Sequence, residues 1–391
     1  MRAWKTVALG DLVDRAQTWN PSRSGPQEVF DYIDLSAVDQ DAKVIIGPRE
    51  LPCSEAPSRA RQLVVKGDVL VSTVRPNLNG VARVPETLDG ATASTGFCIL
   101  RADPTVLDST YLFHWVKSPT FVNDMVRKST GANYPAVSDR IIFESRFPLP
   151  PLPEQRRIAA ILDKANALRA KRRAALTQLD TLTQSIFLEM FGDLLKEPDR
   201  WPRETLGSQL DFLTSGSRGW AQYYRETGSI FLRIQNVRRD ELVLEDVARV
   251  DAPHTVEARR IRVQAGDVLL SMTADLGRTA VMPEGLGAAY INQHLAILRA
   301  PKLEPRFLSA YLSCPAGQRQ ILGRNRQAVK AGLNFDDVRS IRLSLPPLPL
   351  QREFAVRVAA VERLKSAQRE SLATLDALFA SLQHRAFRGE L

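Results

Sequence analysis

At 391 residues, 44% of them hydrophobic, the chain has apolar material for two or three cores. Its 53 basic residues outnumber 44 acidic ones, a formal charge of +9 that favours a polyanionic partner. No stretch approaches the ~18 apolar residues of a bilayer span, nothing near Met1 resembles a signal peptide, and Cys53, Cys98 and Cys314 lack Cys-x-x-Cys spacing, which fits a reducing cytoplasm.

The first 148 residues read as short β-like runs broken by turn residues. Residues 29–35, 68–74 and 97–100 are the clearest strands. Gly67-Asp68 reads as a turn feeding a buried strand, which makes Asp68 a turn former rather than a catalytic acid. A helix follows over 109–128, interrupted at Pro119. Pro148, Pro150, Pro151 and Pro153 then form an extended lead-in, because none of them donates a ladder hydrogen bond. A helix starts at Pro153-Glu154 and meets no Pro or Gly until Gly192, about 38 residues and roughly 57 Å. The plan recurs over 201–345, with Gly266-Asp267 as the equivalent turn, and ends in a second helix from Pro349 to about Arg388, before Gly389.

The recurrence is literal in places. Pro150-Pro151-Leu152-Pro153-Glu154-Gln155-Arg156 returns 196 residues later as Pro346-Pro347-Leu348-Pro349-Leu350-Gln351-Arg352. Trp4 to Gly10 matches Trp201 to Gly207, and Ile99-Leu100-Arg101-Ala102 matches Ile297-Leu298-Arg299-Ala300. Framework segments repeat while the stretches between them do not. Arg75-Pro76-Asn77-Leu78-Asn79 has no counterpart in Ala274-Asp275-Leu276-Gly277-Arg278. A duplicated two-part unit is the reading, and one scaffold with two sets of loops would recognise two different things.

Heptad spacing predicts that the two helices pair. The first row is Ile158, Ala165, Arg172, Leu179 and Ile186; the second, three residues on, is Ile161, Leu168, Ala175, Leu182 and Glu189. The later helix inherits the register with Phe354, Val361, Gln368, Leu375 and Leu382 in the first row and Leu364 and Leu378 in the second. Arg172 and Gln368 fall in one central polar layer, which either fixes register or is a solvated defect.

A strand-rich domain, a proline lead-in ending in Gln-Arg and a long helix, all repeated once, resembles the specificity subunit of type I restriction–modification systems. The resemblance covers essentially the whole chain, and the two Pro-Pro-Leu-Pro-x-Gln-Arg segments are its most specific part. Gly332-Leu333-Asn334-Phe335-Asp336 adds to it, although the first half reads Ala136-Val137-Ser138-Asp139-Arg140 there. It implies an α+β fold: two pseudo-repeated strand-rich target recognition domains (1–149 and 193–345) joined by two long helices (150–192 and 346–391) forming an antiparallel coiled coil. Residues near Met1 and Leu391 would then lie close together, and helix length would act as a ruler between two half-sites. Implied partners are double-stranded DNA, two methyltransferase subunits and the restriction/translocase subunits. S-adenosylmethionine, ATP and Mg²⁺ would belong to those subunits, with no cofactor in this chain.

Base discrimination needs bidentate groups on loops. Candidates in the first domain are Arg23, Arg75, Asn77, Asn79, Asn133 and Tyr134; in the second they are Arg218, Trp220, Arg238, Arg278, Asn292, Gln293 and His294. Arg127, Lys128, Arg324, Arg326 and Lys330 are candidate phosphate contacts. Arg169, Lys171, Arg172 and Arg173 either approach the DNA backbone or form a solvated helix face. No phosphate loop, methyltransferase motif or metal-ligand spacing occurs, so catalysis is not expected in this chain. A non-catalytic protein-interaction scaffold with twin domains on a coiled coil stays open as the alternative; it would lack salt-dependent DNA affinity. A cryptic enzyme, the third reading, would have to turn over without added subunits.

Overall fold

The structure, a computed structural model, describes residues 4–324 and 332–391. It divides into two compact units: one runs to Arg173 and adds Glu370–Leu391, and the other is the continuous Ala174–Arg369. Each unit therefore contains one strand-rich domain and a segment of both long helices.

The two domains share one topology. In the first, Val69–Ser72 lies between Val81–Arg83 and Phe97–Ala102, with Val13–Asp14 completing a four-stranded sheet. In the second, Val268–Ser271 lies between Thr279–Val281 and Leu295–Arg299, with Phe212–Ser215 beyond. These inner strands are buried on both faces, which is why Val-Leu-Val and Val-Leu-Leu run unbroken instead of alternating. A five-stranded sheet stands beside each, and each contains one parallel pairing, Tyr32 with Thr92 and Phe231 with Tyr290. The expected strand over 29–35 stops at Ile33, because the Asp34 carboxylate accepts from the Ser36 N–H at 2.9 Å and turns the chain. The expected helix over 109–128 is two, Ser109–Val116 and Pro119–Lys128, with Ser118 capping the second at the Phe121 N–H.

Both turn aspartates hold their sheets together. Asp68 accepts from the Val65 N–H at 2.9 Å and takes a two-pronged bond from Arg101 at 3.0 and 2.8 Å. Asp267 does the same with the Gln264 N–H at 2.7 Å and Arg299 at 2.7 and 2.8 Å. Each carboxylate is 1% exposed. Asp68→Ala or Asp267→Ala is expected to cost about 2 kcal/mol, since a charge-assisted pair and a turn bond go together; urea unfolding measures it.

The glutamines of the repeated segment lock each domain to its helix. The Gln155 side-chain oxygen accepts from the Asp108 N–H at 2.9 Å, and its nitrogen donates to the Val106 and Pro150 carbonyls, both at 2.9 Å. Gln351 repeats this with the Glu304 N–H at 3.1 Å and the Pro346 carbonyl at 2.8 Å. Both side chains are buried.

The long helices are Leu152–Phe191 and Leu348–Arg388, and Gly192 and Gly389 end them at φ +82° and +76°. They run antiparallel. In the first unit Asp376 pairs with Arg169 and Arg173 at 2.5 and 3.2 Å; in the second, Asp180 pairs with Lys365 at 3.0 Å and Glu189 with Arg357 at 3.4 Å.

The heptad phase requires a correction. Ile158, Ala165, Phe354 and Val361 of the first row are buried, and Leu179, Ile186, Leu375 and Leu382 are half-buried, but the companion row lies four residues on, not three. It comprises Leu162, Arg169, Leu176 and Thr183 on one helix and Val358, Lys365, Leu372, Phe379 and Ala386 on the other. Leu168, Leu182, Leu364 and Leu378 are 45%, 38%, 53% and 48% exposed, and Ile161 is half-buried on the same flank. The buried row carries cations whose aliphatic stems pack while their heads find carboxylates. Arg169 lies over the Phe379 ring at 4.4 Å while reaching Asp376. Arg172 is exposed and Gln368 half-buried, so the polar residues within the seam are Arg169, Thr183 and Lys365.

Aromatic rings close both cores. Phe191, at the end of the first long helix, lies 5.0 Å from Phe307 and 5.4 Å from Phe354. Phe387, at the end of the second, lies 5.1 Å from Trp115 and 5.4 Å from Tyr111. The Trp4 indole donates to the Ala386 carbonyl at 3.2 Å, so the sequence regions near Met1 and Leu391 do meet.

A buried histidine meets a half-exposed carboxylate in the first unit. His114 is fully buried, and its Nε2 lies 2.7 Å from the Asp163 carboxylate while Nδ1 has no partner. Burial holds the imidazole below its ordinary value, against the pull of the Asp163 hydrogen bond. That same hydrogen bond holds the Asp163 carboxyl below its own. For both groups the unfolded chain binds the extra proton, so the pair's contribution to stability falls as pH drops below about 6.5. His114→Phe is expected to flatten the acid-side loss of thermal stability in the first unit, measured by melting at a series of pH values.

Candidate nucleic-acid interface

Two loops meet at one edge of the first domain. After Ser72 ends its strand, Arg75 takes a left-handed conformation at φ +50°, buried Pro76 opens the single turn Pro76–Leu78, and Asn79 is left-handed at φ +47°. The second loop turns at Gly131, φ +101°, where a Cβ would stand 2.8 Å from the Tyr134 carbonyl oxygen. Ala136 bridges to both Val74 and Thr130, and the Arg75 N–H donates to the Pro135 carbonyl at 2.7 Å. Arg75, Asn77, Asn133 and Tyr134 are thereby brought to one exposed edge, with the Arg75 guanidinium 4.9 Å from the Tyr134 ring centre.

Asn79 does not join them as a reader. Its side-chain nitrogen donates to the Val116 carbonyl at 2.9 Å, and its backbone carbonyl accepts from Lys43 Nζ at 2.6 Å, so it anchors the loop. Arg23 is exposed on the separate turn Pro21–Arg23, packed beside the turn Cys53–Glu55. Arg127 and Lys128 close their helix just before the second loop and share Asp124 at 2.5 and 2.6 Å. Burial works against ionisation of Asp124, yet hydrogen bonds from Lys128 and Arg127 hold its carboxyl below the usual range. The trio keeps one net positive charge.

The second domain builds the same frame from other residues. Ala274 is left-handed at φ +64° and Gly277 at φ +81°. Thr273 bridges to Gly332 as Val74 does to Ala136, and the Leu333 N–H donates to Met272 at 2.9 Å as Val137 does to Thr73. The Met272 N–H donates to the His294 carbonyl at 2.9 Å, setting that imidazole beside the Thr273 hydroxyl and 3.1 Å from the Gln293 amide. Asn292 accepts from the His294 N–H at 3.2 Å, so these three candidates form one network. Arg278 pairs with Asp275 and donates to the Val237 carbonyl at 3.3 Å. Arg238 is exposed in a cleft with Arg239, Asp275, Leu276 and Arg278. Arg239 was missed in the sequence; its signal is the Arg-Arg pair at a hairpin tip.

Two candidates of the second domain have other work. Trp220 is 6% exposed, stacks on Phe231 at 5.0 Å and donates to the Ser217 hydroxyl at 3.0 Å, which makes it a core residue; neighbouring Arg218 is exposed. Arg324 donates to the Ser340 hydroxyl and carbonyl at 2.7 and 2.9 Å and to the Gln320 carbonyl at 2.8 Å, so its fork is occupied within the fold. Arg326 and Lys330 lie outside the described residues. Of the basic run on the first long helix, Arg169 and Arg173 pair with Asp376, and Lys171 and Arg172 are exposed.

Among the described residues no cluster of three metal-ligating side chains occurs, and no helix is long and apolar enough to cross a membrane. The family model for the type I restriction modification DNA specificity domain matches residues 1–178 and 255–374. The EcoBI specificity subunit of Escherichia coli is 22% identical over 329 residues, 75% of this chain and 68% of that one. The EcoKI specificity subunit of E. coli strain K12 is 25% identical over 321 residues, with the same two coverages of 75% and 68%. A chain solved in work on complex assembly and conformational transition of the type I R-M system is 29% identical, with 100% and 99% of the two chains covered and a TM-score of 0.65. With a duplicated domain, a duplicated Gln lock and a family match over both halves, this chain belongs to the type I restriction–modification specificity subunits, which are non-catalytic.

Proposed function

We propose that this chain reads an asymmetric, bipartite DNA target, one recognition domain per half-site. The observation that carries the proposal is a single backbone frame, the Val74–Ala136 and Thr273–Gly332 bridges, dressed with unlike side chains. Arg75, Asn77 and Tyr134 occupy it in one domain; Arg278, Gln293 and His294 occupy it in the other. Arginine suits guanine and a side-chain amide suits adenine, and the frame carries them at different places: Arg75 takes the left-handed position that Ala274 fills in the other domain, so the two half-sites differ. The excess positive charge supports affinity through phosphate contacts. The proposal includes docking of two methyltransferase subunits and of restriction subunits, with S-adenosylmethionine, ATP and Mg²⁺ used in those partners.

The test is selection of duplexes from a randomised pool at physiological salt by the chain purified with its methyltransferase subunit. Two unlike motifs at a fixed spacing are expected. Binding indifferent to sequence, or no salt-dependent DNA affinity, would sink the reading in favour of a protein-interaction scaffold.

A further inference from the structure

We infer that Arg75 is the guanine reader of the first domain and that Tyr134 is its positioning residue. The inference rests on the DNA-reading role proposed above and adds the base and the mechanism. A guanidinium has two faces and a rim of five N–H donors, and these serve different partners. The Tyr134 ring, 4.9 Å from Arg75, occupies a face and leaves the rim free to meet guanine O6 and N7 edge-on. Neither a carboxylate nor a carbonyl takes up the Arg75 side chain among the described residues, in contrast to Arg278, which pairs with Asp275.

The backbone is set for presentation as well. A left-handed arginine is disfavoured relative to glycine, and four hydrogen bonds keep the loop that way. The Arg75 N–H is held by Pro135 at 2.7 Å, the Ser72 hydroxyl donates to the Val74 carbonyl at 2.9 Å, and Asn79 is pinned from both sides. Tyr134 is 69% exposed, so packing into the core does not account for its place. The equivalent left-handed position of the second domain holds Ala274, which has no donor, so guanine reading by this device is confined to the first half-site.

The experiment takes the complex of full-length chain and methyltransferase subunit, first on the selected wild-type target and then on targets with each base pair of the first motif replaced. Arg75→Ala is expected to weaken binding about 10- to 100-fold and to abolish discrimination at one G·C pair, leaving preferences in the second motif intact. Those second-motif preferences serve as the folding control. Tyr134→Ala is expected to lose part of the same discrimination, and Tyr134→Phe to restore it. An Arg75→Ala complex that binds all sequences more weakly by one factor, with a salt dependence shallower by about one, would make Arg75 a phosphate contact and overturn the inference while leaving bipartite reading intact. Failure of the wild-type complex to select any motif would instead remove the reading on which the inference stands.

Discussion

Phe191→Ala is expected to destabilise the second unit by about 4 kcal/mol, the usual range for emptying an aromatic site in a close-packed core. Phe191 is fully buried and sits against three rings, Phe187 at 4.9 Å, Phe307 at 5.0 Å and Phe354 at 5.4 Å. These come from both long helices and from the recognition domain, so one truncation opens a cavity where three elements meet. The surrounding rings are rigid and cannot collapse into the space. Phe387→Ala should cost less, because Phe387 is only partly buried. Chemical unfolding of the two variants, followed by tryptophan fluorescence and circular dichroism, gives the comparison; equal and small losses for both would refute the ring-cluster account.

Gln155→Leu is expected to cost about 3 kcal/mol although it places an apolar side chain in a buried site. The substitution strands three backbone groups, one buried and two partly buried: the Pro150 carbonyl, the Asp108 N–H and the Val106 carbonyl. Leaving such groups unpaired costs more than a lost hydrogen bond alone. Gln351→Leu should be milder, since two bonds are made there rather than three. Gln155→Glu discriminates hydrogen bonding from shape: it keeps an acceptor for Asp108 but loses the donors, so its loss of melting temperature should be comparable to that of leucine. A neutral result for Gln155→Leu would mean that water replaces the amide.

That glutamine also shows what a sequence exposes. The Pro-Pro-Leu-Pro-x-Gln-Arg repeat was visible as a pattern, and so were both long helices, whose proline starts and glycine stops are local chemistry. Why the motif needs Gln was not visible, because two of its three partners lie 47 and 49 residues away. The Asp68–Arg101 pair was hidden in the same way: each member stood in a repeated segment, but their meeting depends on strand register across 33 residues. The heptad phase misled for another reason. Leucines stand both three and four residues after the first row, in the second case mixed with Arg169, Thr183 and Lys365, and the partners that make the two cations favourable there, Asp376 and Asp180, lie on the opposite helix. Arg75, Asn77 and Tyr134 were identifiable as loop residues. Trp220 was not separable from them, since a tryptophan beside Arg218-Gly219 reads the same whether it faces solvent or a Phe231 ring.

The division of the chain has a consequence for how it is made. The second unit is one continuous stretch, Ala174–Arg369, whereas the first needs Glu370–Leu391 to supply Ala386 and Phe387 to its core. During translation the domain before Arg173 is therefore made ahead of the segment that completes its core. The usual order of vectorial folding is inverted. Until residues 370–391 emerge from the ribosome, Tyr111 and Trp115 lack the cover of the Phe387 ring.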